Sequence, residues 1–184
     1  LVGAQRGHGL ADHGARNAGG GDHFLLGTRP DGSLTDESLL ALDVQLWPWM
    51  AVPDAPAWRK ALGFAERKLA VDGGFDFNGD RDGIWVEGTA QAALAYQMVG
   101  DASASQRLLA GLRADSTASG LLNATRGARL TTGLSIDPTG ATTIPDFFYY
   151  KRPHLGATAW AVLAETGWNP FTGAKGPDVS DHRQ

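Results

Sequence analysis

Apolar positions recur at spacings of three and four along most of the chain, which is typical of amphipathic helices. Thr35 or Asp36 would cap the first helix and Asp101 the fourth, because short side-chain oxygens satisfy the free amides of a first turn. Pro48 lies inside the first helix and should kink or end it nearby, because proline has no amide to donate. The pattern therefore predicts five helices, over residues 35–50, 56–71, 87–99, 101–114 and 154–165.

Strand-like patterns are few and short by comparison. LTTGLSI at 130–136 and DFFYY at 146–150 could pair, but they are too short to build a sheet-based fold. They lie in a long segment without a helical pattern, residues 115–153, that is rich in Thr, Gly and Pro. Residues 1–35 show no period and are predicted to form an irregular N-terminal arm. Residues 36–184 are predicted to form one domain that is mainly α.

Three helix starts resemble one another. ALDVQLWPWMAV, VEGTAQAALAYQMVGD and HLGATAWAVLAETGWNP each run from a small or polar opening, through Ala and large residues, into a Gly or Pro turn. Gln45 and Gln91 fall at matching places, with Trp160 in the third copy. A second helix follows the first two copies. Such a repeated helical hairpin predicts an array of stacked hairpins or a toroid.

Composition excludes several classes of function. The 184 residues carry a net charge of −4, with 42% hydrophobic residues, which fits one domain with a real core. Basic clusters for nucleic acid are missing, and no apolar run approaches the ~20 residues that span a bilayer. The chain lacks Cys, a phosphate-binding loop and a dinucleotide fingerprint. The compartment stays open between the cytoplasm and secretion with a signal peptide removed.

The stretch FDFNGDRDGIWVEGTAQAALAY, residues 75–96, contains a candidate metal loop. Oxygens of Asn78, Asp80 and Asp82 alternate along the chain as they do in loops that hold a hard cation, and a Gly follows them. Counted from Asn78, the twelfth position is Thr89 rather than the Glu of an EF-hand. Calcium is one candidate ligand of this loop. A polar turn, in which the acids cap or pair a neighbouring Arg, is the alternative.

Two further acids lie at helix starts. Glu87 follows Trp85 at the start of an apolar helix, where the helix dipole stabilises a carboxylate. Asp43 lies among apolar neighbours at the matching end of its own repeat. Each acid is either a structural cap or part of a catalytic pair, since glycoside hydrolysis commonly uses two carboxylates.

The segment DFFYYKRPH, residues 146–154, gathers polar and aromatic side chains. Aromatic faces stack on sugar rings, while Asp, Arg and His bind hydroxyl groups. His154 opens the last predicted helix, as Glu87 opens the third. The Phe residues and one Tyr are expected in the core, and the candidate ligands are Asp146, Tyr149, Tyr150, Arg152 and His154.

The motifs LDVQLWPWMA, GFDF...IWVEGTAQAALAY and YYKRPHLGATAWAVLAETGWNPF together resemble bacterial six-hairpin (α/α)-toroid proteins of the glycosidase-like superfamily. The resemblance covers residues 38–172. It implies helical hairpins whose inner-helix N-termini line a carbohydrate cleft. A complete toroid has twelve helices, so this chain would supply the C-terminal half, or a reduced domain that completes itself as a homo-oligomer.

The resemblance implies a glycoside hydrolase acting on a β-linked polysaccharide or oligosaccharide, with no required cofactor. Glu87 would be the general acid, with Asp43 or Asp146 as its partner carboxylate. Substrate-binding side chains would be Trp47, Trp85, Gln91, Tyr149, Tyr150, Arg152 and His154. The alternatives are a non-catalytic carbohydrate-binding or structural domain, and a polysaccharide lyase with a Tyr or His base.

Overall fold

Helices dominate the structure, a computed structural model that describes residues 21–27, 31–35, 38–137 and 147–176. Within these ranges a 3-10 turn, Pro56–Arg59, precedes the second of five α-helices. The helices are α1 (Leu42–Ala51), α2 (Lys60–Leu69), α3 (Val86–Met98), α4 (Ala102–Ala114) and α5 (Leu155–Thr166). The coarse prediction of a mainly helical fold with little sheet is thereby confirmed.

Two small antiparallel sheets accompany the helices. The strands are β1 (Ala70–Val71), β2 (Gly74–Phe75), β3 (Arg129–Thr131) and β4 (Phe148–Tyr150). β3 pairs with β4, with Leu130 opposite Tyr149, which confirms the predicted pairing of these two segments. The β1–β2 hairpin was not predicted, because the apolar period of α2 continues through Val71. Gly73 turns this hairpin with φ 80°, a left-handed conformation that favours glycine.

The start of α1 differs from the prediction. The helix begins at Leu42, and its first turn has no side-chain cap. Thr35 instead bonds to Gly27, since its amide and its hydroxyl both donate to the Gly27 carbonyl at 3.0 Å. The Thr35 side chain, seven residues before α1 begins, therefore makes its hydrogen bonds with Gly27 and does not cap the helix. Asp36, the alternative cap, lies outside the described residues.

Two other helix starts follow the sequence. The Asp101 carboxylate accepts the Ala104 amide at 2.9 Å at the start of α4, as predicted. At the start of α5, Nδ1 of His154 accepts the Ala157 amide at 3.2 Å. Pro48 lies within α1, and the helix ends three residues later, which fits its missing amide.

α3 is the central helix, and it packs against α1, α4 and α5. It is buried along almost its whole length, and its Ala residues let the neighbouring helices approach closely. A Cβ on Gly88 would lie 2.1 Å from the Trp85 ring and 2.7 Å from Leu42, so the contact with α1 requires glycine. Among the described residues, no helix is long and apolar enough to cross a membrane.

Both ends of the described chain are tied to α1. The buried amide of Gln45 pairs with the backbone of Phe24, accepting its N–H at 2.9 Å and donating to its carbonyl at 2.8 Å. Near the other end, Asn169 donates to the Met50 carbonyl at 2.9 Å. The division of the chain at residue 35 stays a prediction.

Candidate functional site

The starts of α1, α3 and α5 present equivalent positions to one another. Asp43, Glu87 and Gly156 are each the second residue of their helix. One turn further on, four residues later in each case, the residues are Trp47, Gln91 and Trp160. Residues four apart lie on the same face of a helix, so the three helices build an upper layer and a lower layer.

Contacts in the structure join the members of the lower layer. Trp47 Nε1 donates to Gln91 Oε1 at 3.0 Å, and the rings of Trp47 and Trp160 stack 6.0 Å apart. The predicted match of Gln45 with Gln91 is therefore wrong by two residues. Gln91 is equivalent to Trp47, because Gln45 turns to the other side of α1 and binds Phe24.

Glu87 is the central acid of the upper layer, and only 16% of its side chain is exposed. Burial raises its pKa above the usual value. The negative charge of Asp43 raises this pKa further, whereas a positive charge on His154, present only when the ring is protonated, lowers it. The carboxyl group therefore holds its proton to a higher pH than an exposed glutamate does.

The hydrogen bonding of His154 favours a protonated Glu87. Nδ1 of His154 lies 3.4 Å from Oε2 of Glu87 and also accepts the Ala157 amide. An Nδ1 that accepts an amide carries no proton, which favours the tautomer with hydrogen on Nε2. The Glu87 oxygen then lies beside the single lone pair of Nδ1, which the Ala157 amide already occupies, and a protonated carboxyl group is repelled less by this lone pair than a carboxylate is.

Asp43 and Tyr149 complete the upper layer. Burial raises the pKa of Asp43, although its carboxylate accepts the Val44 amide at 2.8 Å. The pKa of Tyr149 is raised to about 12, first by burial and then by the charges of Glu87 and Asp43. Tyr149 thus lies beside both acids and is a neutral phenol at ordinary pH. The third predicted acid, Asp146, lies outside the described residues.

Gly156 makes room for the Glu87 carboxylate. A Cβ at this position would lie 2.5 Å from Oε2 and 2.9 Å from Cδ of Glu87. Any larger residue would push the carboxylate away from its present position. The sequence-based prediction missed Gly156, and the signal available was its place, two residues after His154 and second in the repeated helix.

An aromatic group forms the lower layer and extends to the C-terminal loop. Phe171 lies 5.7 Å from the ring of Trp47 and 6.1 Å from the ring of Trp160. Trp47 and Trp160 are half-buried and Phe171 is 40% exposed, so the group keeps accessible ring surface. Nε2 of Gln91 beneath it is buried with no hydrogen-bond partner among the described residues.

Not every predicted ligand belongs to this site. Trp85 is only 2% exposed and stacks on Tyr149, so it supports the site from the core and offers no ring face to a sugar. Tyr150 is half exposed, and the Arg152 guanidinium lies over its ring at 5.9 Å. Among the described residues, neither Tyr150 nor Arg152 has a hydrogen bond or ion pair with Glu87.

The acidic loop brings Asp76, Asp80 and Asp82 together, with one oxygen of each within 4.8 Å of the others. Asp76 is fully buried, and burial together with the other two charges raises its pKa to about 7. The prediction named Asn78, whose side chain accepts the Asp80 amide at 3.0 Å. If the alternating oxygen ligands are counted from Asp76, the pattern includes this buried acid, and Glu87 stands at position twelve.

Backbone and hydroxyl groups already bind these acids. Asp76 accepts the amides of Phe77 at 2.6 Å and Gly83 at 3.4 Å. Asp82 accepts the Thr131 amide at 3.1 Å, which ties the loop to β3. These bonds account for the loop without a cation, and Glu87 points to His154 instead. The three carboxylates have the chemistry to hold Ca²⁺, and calcium stays a prediction.

No family model matches this chain, and no curated protein or solved structure is significantly similar to it. The resemblance to six-hairpin toroid proteins therefore stays a prediction from the sequence.

Proposed function

We propose that this protein is a carbohydrate-active enzyme, a glycoside hydrolase acting on β-linked polysaccharide or oligosaccharide. One observation carries the proposal. Two half-buried carboxyl groups, Asp43 and Glu87, begin adjacent helices and lie close enough for the charge of one to raise the pKa of the other. Paired carboxyl groups with separated roles are the usual machinery of glycoside hydrolysis.

Glu87 is the general acid of this proposal. Its raised pKa keeps a proton available, and its carboxyl group makes no hydrogen bond inside the described residues other than the contact with His154. It donates that proton to the glycosidic oxygen as the bond to the leaving sugar breaks. His154 holds the carboxyl group in place, and Gly156 leaves space for it.

Asp43 is the partner carboxylate. It either attacks the anomeric carbon or activates a water molecule, and the separation of the two carboxyl groups decides which. About 5 Å fits a nucleophile and retention, whereas about 6.5–9.5 Å leaves room for water and inversion. Product stereochemistry, followed by NMR, would distinguish these roles.

The aromatic group of Trp47, Trp160 and Phe171 is the sugar platform. Its partly exposed rings lie one helical turn from the two acids, which is a suitable distance for a neighbouring sugar unit. Gln91 fixes the Trp47 ring through the bond to Nε1. Trp and Phe rings bind the apolar faces of sugars while polar neighbours fix the orientation.

Exposed apolar residues on α5 support the half-toroid architecture. Leu155 is 82% exposed and Val162 is 56% exposed. They lie seven residues apart, on one face of the helix. In a complete toroid, further helices, from a longer chain or from a second copy of this one, would cover that face.

The proposal is tested by release of reducing sugar from β-glucans, xylan, mannan and chitin. Wild type should release sugar from at least one, and Glu87→Gln should lose about 10²- to 10⁴-fold of that rate, the usual contribution of a general acid. Glu66→Gln is the matched control, because Glu66 is an exposed residue of α2. Binding without turnover in wild type would favour a non-catalytic carbohydrate-binding domain instead.

A polysaccharide lyase is the second candidate, because His154, a residue type that often serves as a base, lies 3.4 Å from Glu87. Tyr149 is less suited to be the base, since a pKa of about 12 keeps it protonated. A lyase would leave an unsaturated sugar end that absorbs ultraviolet light, and Glu87→Gln would not abolish that absorbance. The hydrolase gives no such absorbance.

A further inference from the structure

A polar cavity of about 270 Å³ lies away from the aromatic group, between the start of α3, the end of α4 and the segment before β3. Lys151, Arg126, Asp115, Asn123 and Thr125 are among the residues that line it. We propose that this cavity binds a small oxyanion, which is a carboxylate, sulfate or phosphate group. The inference is independent of the proposed hydrolase activity.

The charge of the cavity is the first argument. Two cations, Arg126 and Lys151, face a single carboxylate, Asp115. Arg126 Nε is paired with Asp115 Oδ2 at 2.5 Å, so its charge is largely satisfied. The Lys151 ammonium has no hydrogen bond or ion pair in the part of the chain that the structure describes. Among the described residues that line it, the cavity therefore keeps one cation without a protein partner, the exposed Lys151, in a protein whose net charge is −4.

Donors without acceptors are the second argument. Thr125 is fully buried and lines the cavity, and its hydroxyl has no hydrogen-bond partner among the described residues. The Asn123 side chain makes no hydrogen bond in the same ranges. A buried hydroxyl without a partner is rare in folded proteins, because losing water without replacement costs free energy. An oxyanion offers several acceptor oxygens to such donors.

The start of α3 is the third argument. Val86, the first residue of this helix, lines the cavity, and Trp85 provides no side-chain cap. The first amides of a helix have no partner inside the helix and carry partial positive charge. The Val86 amide already donates to the Ala124 carbonyl at 3.1 Å, so this helix start offers an oxyanion held by Lys151 its partial positive charge and no free donor at Val86. A helix start alone would not make a site, but here it coincides with a free ammonium and an unpartnered buried hydroxyl.

Calorimetric titration of the whole chain with sulfate, phosphate and acetate, at constant ionic strength set with chloride, tests the proposal. At least one of the three should bind, and the tightest identifies the group that the cavity prefers. Lys151→Gln should weaken that binding about tenfold or more, the effect of losing one hydrogen bond to a charged group. Asp115→Asn should tighten it, because Arg126 is then free to bind the anion.

Arg129→Gln is the matched control for Lys151→Gln. It removes the same charge from a neighbouring strand, where the Arg129 guanidinium lies over the Phe148 ring outside the cavity. It should change the affinity less than about twofold, as expected for a remote surface charge. Binding of none of the three anions would overturn the proposal. Equal losses in the two variants would also overturn it, because they would show diffuse attraction and no defined site.

Discussion

At the scale of single residues, Glu87 and Asp43 are held in surroundings that disfavour their charged forms. Burial raises the pKa of each, the Asp43 charge raises that of Glu87 further, and both charges raise that of Tyr149. A protein that needed only folding would gain stability by replacing such acids. Acids whose charged forms are disfavoured in this way are candidates for a functional role.

Glu87→Gln is therefore expected to raise the free energy of unfolding at neutral pH, on the order of 1 kcal/mol. The folded-state pKa lies above the ordinary value of 4.5, so the folded protein holds the proton more tightly than the unfolded chain. Wild type thus loses stability as the pH rises from about 4.5 through the folded-state pKa, and the Glu87→Gln variant does not. Urea unfolding at pH 4 and pH 7 measures the difference in the free energy of unfolding between the variant and wild type.

The difference in the free energy of unfolding between Glu87→Gln and wild type should be large at pH 7 and close to zero at pH 4. Glu66→Gln, at an exposed position, should show little difference from wild type at either pH. A Glu87→Gln protein that is less stable than wild type at pH 7 would show that the carboxylate is a structural cap.

Gly156→Ala separates the position of Glu87 from its chemistry. The added Cβ would meet the end of the Glu87 side chain, which can rotate away at little cost. Ala also favours a helix over Gly by up to about 1 kcal/mol. The melting temperature should therefore stay level or rise, while sugar release falls at least about tenfold.

Gly156→Ser is a second test of the same contact, since it adds a similar bulk with a hydroxyl that can bond to the displaced carboxylate. Both variants should show intact folding by circular dichroism. Full activity in both would mean that the position of Glu87 does not matter to the reaction.

Some residues of the site could be predicted from the sequence and others could not. Glu87 and His154 stand at helix starts that Gly, Pro and apolar spacing already define. Trp160 was matched with Gln91 in the repeats but was not assigned to the site. Gly156 was missed, because the repeats were not aligned on the second residue of each helix. Asp76 was missed because the alternating oxygen ligands were counted from Asn78 instead of from Asp76.

At the scale of elements, the contact between α1 and α3 positions the two acids. It depends on Gly88, where any Cβ would overlap the Trp85 ring and approach Leu42. Unlike the end of Glu87, these atoms belong to packed core side chains. The helices must therefore stay close for Asp43 and Glu87 to interact.

Gly88→Ala should lower the free energy of unfolding by about 1–3 kcal/mol, the usual cost of overpacking a core. This loss should outweigh the helix propensity that Ala adds. Chemical denaturation of Gly88→Ala beside Gly156→Ala provides the comparison, because both add one methyl group to a helix. Equal stability of the two variants would contradict the close packing of α1 on α3.

Helices were more predictable than their connections. Three- and four-residue spacing located α3 to α5 within about one residue, since each helix buries one stripe or more of its surface. The start of α2 was placed four residues early, because the predicted first turn is the 3-10 turn Pro56–Arg59. The start of α1 was misplaced because Thr35, a good cap by type, bonds to Gly27 across a loop. The β1–β2 hairpin depends on a backbone pairing, which leaves no period in a segment so short.

At the scale of the whole molecule, α1 holds both ends of the described chain. Gln45 binds the backbone of Phe24 on one side, and Asn169 binds the Met50 carbonyl on the other. The loop that carries Phe171 is thereby fixed near Trp47 and Trp160. The aromatic group thus depends on contacts more than a hundred residues apart in sequence, which no local pattern predicts.

Gln45→Ala should release the segment around Phe24 from α1 and lower the free energy of unfolding by about 1–3 kcal/mol, because buried backbone groups lose their partner. Hydrogen exchange should rise at the Phe24 amide and much less in α4. Gln106→Ala is the matched control, since Gln106 is exposed on α4. Unchanged exchange at Phe24 would show that the segment is held by other contacts.

The most direct test of the proposed function compares sugar release by wild type, Glu87→Gln and Gly156→Ala on the same β-linked polysaccharides, with melting temperatures measured in parallel. Wild type should turn over at least one substrate, and both variants should lose most of that activity while remaining folded. Turnover by Glu87→Gln at the wild-type rate, or no release of sugar by wild type from any substrate, would contradict the assignment of Glu87 and Asp43 as a catalytic pair.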